Sequence, residues 1–378
     1  VADEPTDQDT GPPPVEDPAG AAVINPDATA TEQGAGTSEE IKCVCGQVNP
    51  KGEEFCGQCG TQLIAGSVST EVAVPEASAM DPSALEEFKL LTLPKVPINV
   101  TSSGLTHVGL QKENNEDCIF ITEVSYPVHK MSVHVMIVAD GMGGEPAGEV
   151  FGQMACYETW LGIRFLLPYE EQQHGFSRLD FWRYMDRQLD QHLQAQIASA
   201  NSRIVRYARM KQFKAGSCGA TIVVAVVICD LETGRVKIHG YNEGDARCAL
   251  VIPENNGSEK FLQLSLDQTI SGYPFRFLGR HDHIGGNSFN WEIWLGEREL
   301  QSFWVLLYSD GLWNMLSPDS MTQAAESATN PKALCDLLLA NALTVREPYG
   351  KQLGDDKVTT GDDNISIAAL RCESLKES

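Results

Sequence analysis

VHVMIVADG, residues 133–141, is the stretch that decides the fold. Its valines, isoleucine and methionine favour an extended, buried strand. The strand stops at an acid and a glycine, Asp140-Gly141. FWVLLYSDG, residues 303–311, repeats the pattern and stops at Asp310-Gly311. Glu116-Asp117 stands directly before CIFI, and Asp362-Asp363-Asn364 directly before ISIAAL. An acid at the end of an apolar strand lies at the rim of a sheet. Four such rims meeting at one place crowd their carboxylates, and a proton or a divalent cation must then hold them together. Oxygen-only donors select hard ions such as Mg²⁺ or Mn²⁺ over Zn²⁺. Two such ions about 4 Å apart ionise a shared water and clamp a phosphoryl group. A single Asp-Gly after a strand is also an ordinary turn; the repetition moves the balance towards a metal site.

Working outward, strands are expected at Leu105–Leu110, Cys118–Glu123, Val133–Ala139, Ala220–Cys229, Arg235–Tyr241, Arg247–Ile252, Trp291–Leu295, Phe303–Tyr308 and Ile365–Leu370. Helices are expected at Glu145–Phe165, Arg178–Lys211 and in the 319–343 region. In the second helix Trp182, Met185, Leu189, Leu193, Ile197, Ile204 and Tyr207 draw one apolar stripe, which reads as ordinary packing. Strands predominate and most connections look like hairpins, so the strict βαβ alternation of a parallel sheet is absent. The expectation is an α+β fold: mainly antiparallel sheets covered by helices, in one domain of about 270 residues.

The chain has 378 residues and a formal charge of −24. Residues 1–100 hold 17 acids against 4 bases. So acidic a chain excludes a general nucleic-acid binder, because its field repels phosphate backbones. The longest apolar run, Thr221–Cys229, has strand length and falls well short of the roughly 18 residues of a membrane helix. Residues 1–40 contain ten acids, no Lys or Arg and no aromatics; they read as a disordered acidic tail. Residues 41–61 form a separate cysteine-bearing unit, 62–100 a proline-punctuated linker with a short helix at Pro82–Leu91, and 101–374 the globular domain. The N-terminal stretch lacks a basic region followed by an apolar one, so no signal peptide is read there. Eleven cysteines, an odd number, fit a reducing cytosol better than a disulfide scaffold. The expected location is cytoplasmic.

The series GLQKENNEDCIFI, VMIVADGMGGEPAGEV, SCGATIVVAVV, NEGDARCALV, QLSLDQT, LLYSDGLWNML and GDDNISIAAL resembles, in order, the metal-dependent protein phosphatases of the PP2C type. The resemblance spans about Gly104 to Leu370. It implies an α-β-β-α sandwich, two antiparallel sheets face to face with helices outside each. It implies hydrolysis of phosphoserine and phosphothreonine on proteins, in bacterial signalling, opposite a Ser/Thr kinase. On that resemblance Asp140 is the carboxylate bridging two Mn²⁺ or Mg²⁺ ions, and the Gly141 carbonyl a ligand of the first. Glu116, Asp310 and Asp363 match the acids around the second, and a bridging hydroxide attacks phosphorus without a covalent enzyme intermediate. Asp245, in GDAR, matches a supporting acid behind the ligands.

Three positions depart from the family pattern. Lys112 stands where an Arg normally grips the substrate phosphate; lysine keeps the charge and loses the bidentate fork. Gly216 and Asn314 replace two acids of a third-metal site found in bacterial members. Two tightly held ions and a weak or absent third are therefore expected. A non-enzymatic alternative, a pseudophosphatase that binds phosphoproteins as an adaptor, rests on the same three positions.

Other motifs compete. Gly141-Met-Gly143-Gly144-x-x-x-Gly148 resembles a dinucleotide loop, but Asp140 would abut the pyrophosphate and no parallel βαβ unit follows. His281-Asp282-His283 reads as a solvated loop. Cys43-x-Cys45 and Cys56-x-x-Cys59, each pair followed by glycine, suggest a tetrahedral Cys₄ structural Zn²⁺ site, resembling a short zinc ribbon. The first pair has one intervening residue where that family has two, and redox-active thiols or a non-binding knuckle are the other readings. The ribbon would dock a protein partner, since Lys42 and Lys51 face Glu53 and Glu54 and offer nucleic acid little.

Overall fold

The computed structural model describes residues 40–42, 48–50, 95–143, 147–168, 175–214, 216–253, 259–270, 272–296, 300–355 and 357–375. The acidic tail up to residue 39, the cysteines Cys43, Cys45, Cys56 and Cys59, and the helix read at Pro82–Leu91 lie outside the described residues. The chain divides into two units, residues 1–79 and 80–378. In the first, β1 (Glu40–Lys42) pairs antiparallel with β2 (Val48–Pro50), placing Ile41 opposite Asn49.

The second unit is organised by central strands too apolar to leave either face in water. β3 is Ile98–His107, β4 Asp117–Tyr126, β5 Met131–Met142, β6 Gly219–Asp230, β7 Arg235–Glu243, β8 Arg247–Pro253 and β9 Glu259–Gln263. β10 (Thr269–Ile270) and β11 (Tyr273–Pro274) form a small hairpin; β12 is Asn287–Trp294, β13 Ser302–Tyr308 and β14 Ile365–Ser374. Two five-stranded sheets result, ordered β12-β7-β6-β5-β4 and β3-β14-β13-β8-β9. Every pairing in them is antiparallel.

Side-chain alternation turns these sheets into layers. In β5 and β6, Val133, Val135, Ile137, Ile222, Val224 and Val226 point to the helices α1 (Ala147–Leu166) and α2 (Arg178–Met210). Met136, Val138, Val223, Ala225 and Val227 point the other way, onto Leu250, Phe303, Val305, Leu307 and Leu370 of the second sheet. From that sheet's far side Trp304, Leu306 and Tyr308 meet α3 (Asp310–Trp313), α4 (Pro318–Ser327) and α5 (Pro331–Thr344). A last helical turn, α6, covers Tyr349–Gln352. The order helix, sheet, sheet, helix thus follows from three stacked apolar cores. The α2 stripe is one of their walls: Trp182, Met185, Leu189, Leu193, Ile197 and Ile204 are all buried. Among the described residues, no helix is long and apolar enough to cross a membrane.

Some boundaries differ from the sequence expectation. The region 319–343 is two helices, because Asn330 caps Ala333 N with its side chain and Pro331 opens a new first turn. The strand read at Leu105–Leu110 lies at Ile98–His107 and ends before Gly109, which sits at φ +83°. Its polar Thr101-Ser102-Ser103 hid it, since β3 is an edge strand with one side in water. β9 and the β10–β11 hairpin were too short to draw a pattern.

Candidate active site

The acids anticipated at strand ends gather at one rim of the sandwich. In the first sheet, Asp117 opens β4 directly opposite Asp140 near the end of β5. In the second, Ser309 N donates to Ser366 O at 3.1 Å, so Asp310 at the exit of β13 lies beside Asp363-Asn364 at the entry of β14. Hydrogen bonds then join the two sheets. Ser309 Oγ donates to Asp117 Oδ2 at 2.8 Å and accepts from Ser366 N at 3.0 Å. Asn364 Oδ1 accepts from Glu116 N at 2.8 Å, and its Nδ2 donates to Val108 O and Asn114 O at 2.9 and 3.0 Å. Carboxamides can donate and accept at once, which an aspartate at 364 could not.

Glycines let other chain segments close on this rim. A Cβ on Gly148, in the first turn of α1, would lie 2.2 Å from Glu116 Oε1. One on Gly141 would lie 2.0 Å from Gly148 O and 2.6 Å from Glu116 O. The Glu116 side chain therefore occupies a cradle that any larger residue at 148 would fill.

Lys112, Glu116, Asp140, Gly141, Asp310 and Asp363 all line a single cleft of about 440 Å³, together with Asp245 and Asn314. Gly216 does not; it lines a second depression. Burial raises the Asp140 and Asp310 carboxyls well above the usual range, and neighbouring carboxylates raise them further: Asp310, Asp117 and Asp363 act on Asp140, and Asp363, Asp245 and Asp117 on Asp310. Burial likewise lifts Asp117 to about 6, against the hydrogen bond from Ser309 that favours its charge. Asp245 is also lifted by burial to about 6, and its buried Oδ1 has no hydrogen-bond partner. The Lys112 ammonium sits 2.7 Å from Asp363 Oδ1. Burial works against its charge, but that contact and the fields of Asp363, Asp140 and Glu116 prevail and raise it above the ordinary lysine value.

These features fit divalent cations in kind. The donors are oxygens, the carboxylates repel one another unless a positive charge intervenes, and one buried oxygen lacks a partner. Among the described residues, no three His, Cys, Asp or Glu side chains are already drawn tightly enough together to hold an ion.

Outside the cleft, His281 and His283 stand in an exposed loop with ring centroids 6.0 Å apart. His239 is buried against Asp186 Oδ1 at 2.7 Å. Cys156, Cys218, Cys229, Cys248, Cys335 and Cys372 are buried free thiols and Cys118 is half-buried, in keeping with their apolar settings in sequence. Sequence reasoning gave no role to Ser309, Ser366 or Asn364, or to Tyr273, Asp355 and Lys357, which also line the cleft. For Asn364 the signal was present: an amide after two acids at a strand entry.

No known family profile matches the chain. It is 26% identical over 271 residues to the serine/threonine phosphatase stp of Listeria welshimeri, covering 67% of this chain and 91% of that one. It is 25% identical over 281 residues to a putative protein phosphatase 2C-type of Streptococcus pyogenes, covering 71% and 96%. Among solved structures, a bacterial serine phosphatase superposes with a TM-score of 0.51 at 19% identity, covering 74% of this chain and 100% of that one. That likeness establishes the fold, two facing antiparallel sheets clothed by helices.

Proposed function

We propose that this chain is a PP2C-type phosphatase that hydrolyses phosphoserine and phosphothreonine esters on proteins with water activated by two divalent cations. One observation carries the reading: Glu116, Asp140, Asp310 and Asp363, from four strand ends in two sheets, share one cleft with a lysine. Asp140, the Gly141 carbonyl, Glu116, Asp310 and Asp363, which line that cleft together, would hold the ions, with Asp140 shared between them. When bound, Mn²⁺ or Mg²⁺ supplies the acidity that ionises water at neutral pH and screens the phosphoryl oxygens. Asp117 and Asn364 hold the ligands' backbone in place through Ser309 and the Glu116 amide. Lys112 leaves Asp363 for the phosphoryl oxygens of the substrate and orients them as a point charge. With Gly216 outside the cleft and Asn314 neutral, two tightly held ions and no firmly held third are expected.

The test is turnover of p-nitrophenyl phosphate with Mn²⁺, run beside Asp140→Asn. Mn²⁺-dependent turnover that the variant loses supports the enzyme. The second reading, a pseudophosphatase adaptor for phosphoproteins, is favoured by the Lys112–Asp363 ion pair, which keeps both groups occupied. Phosphopeptide binding without any Mn²⁺-dependent turnover would select it.

Cys43, Cys45, Cys56 and Cys59 are proposed to hold a structural Zn²⁺ in a ribbon that docks a protein partner, such as the kinase whose work the phosphatase reverses. Elemental analysis should then find about one zinc per chain, removed by Cys56→Ser/Cys59→Ser. The free thiols suit the reducing cytosol.

A further inference from the structure

Next to the acidic cleft lies a depression of about 210 Å³ whose lining sets Arg209, Lys214, Arg280 and His281 against one acid, Asp282. Arg209 reaches it from the last turn of α2, Lys214 from the turn ahead of β6, and Arg280 and His281 from the loop ahead of β12. Arg209 is paired with Asp282 at 2.5 Å. Lys214 and Arg280 form no ion pair with a described residue; the Arg280 guanidinium lies 5.3 Å over the Phe277 ring. Two such cations lining one depression stand out in a chain of charge −24.

The depression is built rather than incidental. Asn201, 1% exposed, accepts from Gly279 N at 2.8 Å and donates to His281 O at 2.9 Å. That clamps both sides of Arg280 to α2. Ala220 and Leu278 exchange backbone hydrogen bonds of 3.0 and 2.9 Å, which fixes the same loop to β6. The volume has room for an oxyanion and its waters, given roughly 30 Å³ per water.

It also adjoins the cleft. Cys218 lines the depression and Gly143 lines the cleft. The two touch: a Cβ on Gly143 would be 2.7 Å from Cys218 Cβ. The cleft itself is lined by Glu116, Asp140, Asp245, Asp310, Asp355, Asp362 and Asp363 against Lys112 and Lys357. The excess of acids there works against a further anion on a polypeptide, whereas Lys214 and Arg280 in the depression attract one.

We infer that this depression is an anion subsite for the substrate polypeptide. It takes a second oxyanion, a phosphoryl group or a carboxylate, flanking the residue in the cleft. The inference rests on the phosphatase reading and adds a preference for multiply phosphorylated or acidic segments. The test uses fluorescent phosphothreonine peptides carrying phosphoserine, aspartate or serine at successive offsets. Binding is followed by anisotropy on full-length Asp140→Asn, and kcat/KM on the active chain. At one offset the second phosphoserine should tighten binding and raise kcat/KM about 10-fold, the effect of one charge-assisted contact. Aspartate should give less, and salt should shrink the gain. Lys214→Glu/Arg280→Glu, or the milder Lys214→Ala, should erase it while p-nitrophenyl phosphate turnover stays unchanged. Equal binding and turnover at every offset, or a gain that survives both variants, would overturn the subsite. Should turnover be absent while Asp140→Asn still shows the offset-dependent gain, the phosphatase reading fails and the subsite stands.

Discussion

Lys112→Ala should move two properties of this protein in opposite directions. The ammonium is 2.7 Å from Asp363 Oδ1, with side chains 40% and 37% exposed. At that exposure the pair contributes less than about 1 kcal/mol to folding, so the variant should keep its fold. In the proposed turnover the lysine would make a charge-assisted contact to phosphoryl oxygens, worth about 1.5–3 kcal/mol. Its loss should lower kcat/KM for a phosphothreonine peptide roughly 10- to 150-fold. Towards the proposed cations it would be a competitor, being held by the field of Asp363, Asp140 and Glu116. Solvent screening limits that competition to under about 1 kcal/mol, so Mn²⁺ should bind up to about 5-fold more tightly. The assays are steady-state kinetics at saturating Mn²⁺ and titration calorimetry with Mn²⁺ alone. Lys112→Arg should retain turnover, since it keeps the charge and adds a fork. An unchanged kcat/KM in Lys112→Ala would refute the phosphate-binding role, and weaker Mn²⁺ binding would refute the competition.

Mn²⁺ at 100 times its Kd should stabilise the chain by about 2.7 kcal/mol, raising Tm by a few degrees; thermal melts with and without chelator check this, and Asp140→Asn should abolish the rise. Gly148→Ala places a methyl 2.2 Å from Glu116 Oε1. Its displacement of that flexible carboxylate should weaken Mn²⁺ roughly 10- to 100-fold, while the metal-free Tm holds because alanine favours the helix. Glu232, bound to Lys95 at 2.7 Å and paired with Lys130 and Arg178, is held down at about 2 by the hydrogen bond from Lys95 and by those cations. Its depressed value gives stability that is present above pH 4.5 and lost as pH falls towards 2. Glu232→Gln should therefore cost about 1 kcal/mol at neutral pH, and urea melts should show the deficit vanishing at low pH.

The legible parts of this molecule were those written in local periodicity. β5, β6 and β13 announced themselves because strands covered on both faces read as unbroken apolar runs. α2 was legible in its stripe of Trp182, Met185, Leu189, Leu193 and Ile197. The split between α4 and α5 was missed because Asn330-Pro331 is a cap and a first turn at once, and both residues are also common in loops. β3 was displaced because an edge strand needs few apolar residues and Thr101-Ser102-Ser103 looks like linker.

The acids that line the cleft were nameable from their places at strand ends, since side-chain chemistry is local. What holds them was not. Ser309 to Asp117, Asn364 to Glu116, and Lys112 to Asp363 join residues 192, 248 and 251 positions apart, and no periodicity links such positions. The sequence by itself determined which strands are buried on both faces and which residues carry oxygen donors. Only the tertiary structure decided that Asn364 stitches one sheet to the other, that burial lifts Asp140 and Asp310 together, and that Lys214 and Arg280, without an ion pair among the described residues, line one depression. Charge, burial and hydrogen-bond partnership depend on neighbours in space, and the chain reveals those only once its three cores have stacked.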